Sequence, residues 1–355
     1  MAMENEASGQ LCRKLGIEIP FIAAPMSGVS TPALAAAVSR SGGLGMLSAD
    51  LLEPEEICRE VEETRRLTDR PFAVNMRIPP RDRGSLEQAE KVAYALSDLR
   101  KELGLEESVD FSSFREPDFE RQLEAVLDLG IKVVSCSFGG FREAFEERLH
   151  SSGAFILGSA TTLREAKVQR AARADAIVLQ GYEAGGPRLY FESDPEESSV
   201  CLSVLLAAAP RAVRLPLIAA GGIGTASAAR AAIAGGAAAV MAGSALACAP
   251  ESAAPDLMRR SMAAASDTAT CVTDLLSGRP ERVMRIGLVE ALKRAGVASS
   301  GYPFQRFIMR DIMRAAVRSE RPDLLRMPAG QAANIFSCRP AAETVGLIRQ
   351  GLPHF

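Results

Sequence analysis

Two histidines, at 150 and 354, are all the imidazole in this 355-residue chain, and its seven cysteines are scattered and odd in number, with no CxxC pair. Histidines so far apart and cysteines that never cluster leave no tetrahedral ligand set, so metal-centred chemistry is not expected. Such cysteine usage suits reduced thiols in a cytoplasm better than a disulfide framework. An excess of one charge is missing too. A formal net charge of −3 gives no electrostatic pull toward nucleic acid or an anionic membrane surface. The opening stretch MAMENEASGQ is polar and acidic, without the basic-then-apolar order of a signal peptide. Residues 231–250 carry no charge but are mostly Ala and Gly around a strand-like run, so no transmembrane helix is expected there. No GxGxxG follows a first strand, and any nicotinamide site is therefore of another kind. Internal repeats are absent.

What is present is a strand–helix–strand unit punctuated by glycine. Residues 215–247 read LPLIAAGGIGTASAARAAIAGGAAAVMAGSALA. One apolar run, 215–219, leads to Gly221-Gly222; Thr225 or Ser227 can N-cap an alanine-rich helix; a second run, 237–241, leads to Gly243-Ser244. Glycine after two adjacent strand ends lets backbone amides approach a ligand and hold a phosphate. A tight turn without a ligand is the plainer alternative.

Along the chain, strands are expected at 20–24, 44–47, 71–76, 131–136, 154–157, 176–180, 215–219 and 237–241. Helices are expected between them at 32–41, capped by Ser30 or Thr31 ahead of Pro32, and at 53–67, 119–129, 141–150 and 162–172. The rhythm breaks at 77–121, a charged stretch containing Pro79-Pro80 and a solvated helix at 85–103, which reads as an insertion after strand three. Beyond Ala249 the strand pattern stops, and 250–355 reads as several helices forming a lid or cap. The prediction is an α/β fold, a (β/α)8 TIM barrel over 12–249 with a C-terminal helical cap over 250–355. Its mouth would collect Pro25-Met26-Ser27, Asn75, Ser135-Cys136-Ser137, Ser159-Ala160, Gln180-Gly181 and the two glycine turns.

With those residues in place, the chain resembles the nitronate monooxygenase (formerly 2-nitropropane dioxygenase) family of FMN-dependent barrel enzymes, which also includes enoyl-acyl-carrier-protein and quinone reductases. The matching motifs are IAAPMSGVSTPALAAAVSRSGGLGML (22–47), AVNM (73–76), VVSCSFG (133–139), ADAIVLQGYEAGGPR (174–188), PLIAAGGI (216–223), GAAAVMAGSALA (236–247), LLSGRP (275–280), GYPFQ (301–305) and AGQAA (329–333). They occur in the family's order; 77–121 and 189–210 are least covered. The resemblance implies FMN across the barrel mouth. Ala24, Pro25 and Met26 would line its isoalloxazine, with Ser27 and Ala220 among the contacts. Asn75 and Gln180 would hydrogen-bond the polar edge of the ring. Gly185, Gly186, Gly221, Gly222, Gly243 and Ser244 would hold the ribityl phosphate or its surroundings.

One departure bears on mechanism. Family members commonly carry a histidine after E-A-G-G, placed over the flavin as base or orienting group; here Glu183-Ala184-Gly185-Gly186 is followed by Pro187. Neither His150 nor His354 is expected at the mouth. Tyr182, Glu183 and Arg188 are the nearest polar candidates for catalysis, against the plainer reading of loop residues. Cys136 reads as a buried thiol, and Tyr302 and Gln331 belong to motifs that close over the site or pack the cap. The resemblance implies oxidation of a nitronate or related small carbanion with O2, in a cytoplasmic enzyme. The alternatives are an NAD(P)H-dependent reductase of an enoyl thioester, enone or quinone, and a flavin-free phosphate-binding lyase or isomerase. A homodimer or an acyl-carrier partner stays open.

Overall fold

The computed structural model describes residues 2–80, 84–335 and 337–355. Residues 81–83 of the expected insertion and Phe336 of the expected cap lie outside them. Strands β1 (Phe21–Ala23), β2 (Gly45–Ser48), β3 (Phe72–Arg77), β4 (Val133–Ser137), β5 (Phe155–Ala160) and β6 (Ala176–Gln180) follow one another in the chain. The two-residue β7 (Gly186–Pro187) comes next, then β8 (Leu217–Ala220), β9 (Ala239–Ala242), β10 (Thr270–Thr273) and β11 (Glu281–Met284). Eight of these form one parallel sheet in the order β1-β9-β8-β6-β5-β4-β3-β2. A bridge between Ile22 and Leu44 joins the two ends, Ala23 donating to the Leu44 carbonyl and Leu44 to that of Phe21, each at 2.9 Å. The sheet thus curls into a nearly closed (β/α)8 barrel. AIVLQ of β6 and LIAA of β8 are buried throughout, as strands covered by helices outside and side chains inside must be.

The helices start where small hydroxyl residues stop the strand exits. Thr31 accepts from the Leu34 amide at 3.0 Å, with Pro32 in the first turn of helix Pro32–Arg40. Thr162 and Thr225 do the same for helices Leu163–Ala171 and Ala226–Ala234. Each cap takes up an amide that has no partner inside its helix. Every expected barrel strand is present, with ends shifted by up to three residues, the largest shift being at the end of β5.

Three features depart from the sequence reading. The strand pattern does not stop at Ala249: β10 and β11 pair antiparallel, and β11 also pairs with β7, with Glu281 opposite Pro187 and Arg282 opposite Gly186. Buried positions of β11 are charged, Glu281 at 0% and Arg282 at 4% exposure, so no apolar alternation marks the strand. The insertion helix is not merely solvated. It divides into Leu86–Ala95 and Ser97–Glu102, and Ala89, Val92 and Leu96 pack into one core with Ile308 and Ile312 of helix Phe304–Arg318. The final helix, Ala341–Arg349, is no lid either: Ala341, Val345 and Ile348 join the barrel's own core. An N-terminal helix, Ala2–Leu15, seats Leu11, Cys12 and Leu15 in that core.

Candidate active site

The C-terminal strand ends open into a cavity with an empty volume of about 1450 Å³. Every residue expected to touch the cofactor lines it. Ala24, Pro25, Met26 and Ser27 come from the β1 exit and Asn75 from β3; Gln180, Gly185 and Gly186 follow β6. Ala220, Gly221 and Gly222 come from the β8 exit, and Gly243 and Ser244 from that of β9.

The two glycine turns supply donors. Gly221 and Gly222 have φ of 124° and 69°, which a side chain would strain. Among the described residues the amides of Gly222 and Gly243 donate to no main-chain carbonyl. Ser244 Oγ accepts from the Gly330 amide at 3.0 Å and keeps its hydroxyl hydrogen to donate. Asn75, 3% exposed, donates from Nδ2 to Ser137 Oγ at 3.4 Å, while its Oδ1 is buried without a partner. A buried acceptor left unpaired costs about 1–3 kcal/mol, a deficit that a ligand N–H would remove. Gln180 is differently engaged: its Nε2 donates to the Pro187 carbonyl at 3.0 Å and its Oε1 accepts from the Leu189 amide at 3.0 Å. An amide side chain has two hydrogens and two acceptor sites, so Gln180 ties down the following loop and still retains one of each.

The mouth is also cationic, and here the sequence reading missed most of the site. Arg77, Arg279, Arg306 and Arg326 line the cavity with a single carboxylate, Asp50, among the described residues. Asp50 Oδ1 lies 3.2 Å from Arg77 Nη1, and its Oδ2 3.5 Å from Arg306 Nη1. The Arg77 guanidinium sits 3.7 Å from the centroid of the Tyr302 ring and 4.6 Å from that of Phe138. Tyr302 is held in turn, its amide donating to the Gly278 carbonyl at 3.0 Å and its carbonyl accepting from the Gly84 amide at 2.9 Å. Gly278 has φ of 84°, and a Cβ there would stand 2.2 Å from the Gly301 carbonyl carbon, so only glycine lets the two loops meet. The available signal was position: Asp50 and Arg77 stand at or just past strand ends, and Arg279 and Tyr302 lie inside the quoted motifs.

Burial pushes the Asp50 carboxyl up, but Arg77 and Arg306 outweigh it and hold the group below the usual carboxylate range. A carboxyl more acidic folded than unfolded contributes its full stability above the usual carboxylate range and loses it as pH falls through and below that range. Urea titrations of wild type and Asp50→Asn are therefore expected to show a stability gap that is constant near neutrality and narrows as pH drops into that acid window. A gap that does not change with pH would show that the carboxylate's charge contributes nothing.

The family model for nitronate monooxygenase matches residues 8–350. The chain belongs to the nitronate monooxygenase family. This makes it an oxidoreductase of the flavoenzyme kind. A probable nitronate monooxygenase from Staphylococcus aureus (strain JH9) is 32% identical over 333 residues, covering 94% of each chain. Nitroalkane oxidase from Streptomyces ansochromogenes superposes with a TM-score of 0.87 at 31% identity, covering 94% of this chain and 95% of that one. FabK from Thermotoga maritima, 24% identical, shares the fold with a TM-score of 0.73 over 96% of this chain and 94% of its own.

Within this member of the nitronate monooxygenase family, the three polar residues beside the expected histidine position stand behind the cavity wall. Tyr182, Glu183 and Arg188 are absent from its lining. Arg188 is 1% exposed and donates to the carbonyls of Gly181, Gln180 and Ser198 at 2.7, 3.3 and 2.6 Å. Burial, reinforced by Arg282, brings its pKa down to about 10. Glu183 accepts from the Leu202 amide at 3.1 Å, capping helix Leu202–Ala212, and the Tyr182 carbonyl accepts from Arg282 Nε at 3.1 Å. Together they brace the loop that presents Pro187, which does line the cavity. Cys136 is buried away from it, its thiol pushed up to about 12 by burial. Gln331 is exposed, joined through its amide to the Glu183 carbonyl at 3.0 Å. His150 packs between Glu146 and Asp175 beside the start of β6, and His354 is exposed at the C-terminus.

Proposed function

We propose that this chain is an FMN-dependent oxidoreductase that oxidises a nitronate, or a related small carbanion, with O2. The supporting observation is the composition of one cavity: undonated glycine amides, an unpaired Asn75 acceptor and several guanidinium groups, with no imidazole among the described lining residues. Asn75 and Gln180 would meet the polar edge of FMN, the main chain of Ala24–Met26 would lie along its ring, and the amides of Gly222 and Gly243 would take its phosphate. Bound there, FMN supplies the electron acceptor, and the protein supplies binding, orientation and charge. Among the cavity's titratable groups, Asp50 is committed to two arginines and Tyr302 is a phenol made less acidic by burial. Neither is a free base at neutral pH, so the substrate enters as an anion.

The purified protein is expected to be yellow, to release FMN on denaturation, and to consume O2 with propane-2-nitronate far faster than with freshly dissolved neutral 2-nitropropane. A colourless protein that takes up no FMN would overturn the cofactor assignment. Rapid anaerobic bleaching by NADH or NADPH without nitronate oxidation would replace the reaction with the reductase alternative. Among the described residues no group of three or more His, Cys, Asp and Glu gathers to hold a metal ion. No helix of the described residues is long and apolar enough to cross a membrane.

A further inference from the structure

Arg77 is placed unlike the other guanidinium groups of the cavity. Its side chain is 9% exposed, yet its Nε hydrogen has no acceptor. Asp50 anchors the group through Nη1, and Tyr302 and Phe138 flank it with their rings. Phe138 adopts φ of 65° to do so, a conformation costing a bulky residue about 1–3 kcal/mol. A planar guanidinium fixed by one carboxylate and two rings has lost its rotational freedom before any ligand arrives. The edge carrying Nε is the edge that Asp50 does not use. Arg77 also stands two residues beyond Asn75 on β3, so both side chains leave the same face of the strand. One offers an unpaired acceptor and the other an unpaired donor, in the same cavity.

We propose that Arg77 is the residue that receives the substrate's negative charge, through a fork of hydrogen bonds to a planar group with two oxygens, so that the site selects nitronates and carboxylates over neutral nitro compounds. A nitronate and a carboxylate share that shape and charge, and the guanidinium fork matches both. Arg77 thereby does the orienting that a side chain at position 187 cannot do. The inference uses the proposed function only to say which of the two anions reacts; the binding itself does not depend on it.

The test titrates the flavin-loaded protein with sodium nitrate, sodium acetate and acetamide at constant chloride, following the flavin absorbance. Nitrate and acetate are expected to perturb the spectrum and acetamide to leave it unchanged. Arg77→Lys, which keeps the charge for Asp50 but loses the fork, is expected to weaken nitrate and acetate about 10- to 100-fold and to raise KM for propane-2-nitronate more than it lowers kcat. Arg77→Met is expected to abolish the response. Unchanged nitrate affinity in Arg77→Lys, or an equal response to acetamide, would overturn the proposal. If only one variant retains flavin, that one is read; loss of flavin from both also overturns it, because Arg77 would then be holding the cofactor or the fold. Anion binding that depends on Arg77 without nitronate turnover would sustain this proposal and sink the assigned reaction. Nitronate turnover indifferent to Arg77 would do the reverse.

Discussion

Replacing Pro187 by histidine is expected to raise kcat/KM for neutral 2-nitropropane by about 10²- to 10⁴-fold, the usual contribution of a positioned base, while turnover of the nitronate changes only a few-fold. The neutral compound must lose a proton before it can give up electrons, and no described side chain of the cavity is free to take one. Position 187 faces the cavity, so an imidazole there stands at the mouth with the substrate. The exchange is mild for the backbone: proline has no amide hydrogen to lose, and the Pro187 carbonyl that accepts from Gln180 is kept. An unperturbed histidine titrates near pH 6.5. The surrounding arginines disfavour a second positive charge, so the imidazole's pKa moves down and the ring is neutral, and therefore basic, at pH 7. The neutral-substrate rate of the variant should accordingly fall with acidification only at or below about pH 6.5. Initial rates of O2 uptake with neutral and pre-ionised substrate, each across pH, measure both effects. A variant that keeps its flavin and gains nothing with the neutral compound would show that position 187 does not adjoin the reacting carbon.

Reading this barrel from its sequence succeeded where burial and sequence say the same thing. β6 and β8 are apolar because both of their faces are covered, and Thr31, Thr162 and Thr225 cap helices because their hydroxyls take up amides three residues on. The glycine turns were legible because glycine is costly wherever its freedom is not used. Charge broke the correspondence. Arg188 sits inside a motif, and proximity to the expected histidine made it a catalytic candidate, yet its Nη groups are turned to three main-chain carbonyls behind the cavity wall. Arg77 and Arg306 lie far apart in the chain and look like ordinary surface arginines until Asp50 brings them together. Periodicity reports which face of an element is apolar; it carries no record of which distant carboxylate will neutralise a buried cation. β11 was missed for the same reason, since two of its four buried side chains, Glu281 and Arg282, are charged and satisfied by partners elsewhere.

β11 also carries the largest expected stability effect. Truncating Glu281 to alanine should lower the free energy of unfolding by about 3–5 kcal/mol, the cost of orphaning one member of a buried ion pair. Glu281 is fully buried; its two oxygens each lie 2.9 Å from Arg326 Nε, and Oε2 lies 2.5 Å from Nη2. Burial works against the charge on Arg326, but the Glu281 carboxylate outweighs it and holds the guanidinium's pKa above its ordinary value. Without the carboxylate, that guanidinium stays in the cavity wall with its side chain 23% exposed. The strand suffers as well, because Glu281 sits opposite Pro187 in the pairing that fastens the loop after β6 to the cap. Urea denaturation should therefore show an earlier midpoint, and the variant should retain less flavin. An exposed pair such as Arg164 with Glu197, whose side chains are 62% and 50% exposed, sets the contrast: Glu197→Ala should change stability by no more than about 1 kcal/mol. The double variant Glu281→Ala, Arg326→Met separates the two costs. If an uncompensated charge is the cause, removing the arginine restores most of the lost stability; if the cause is the space left by the carboxylate, the double variant stays as unstable as the single one.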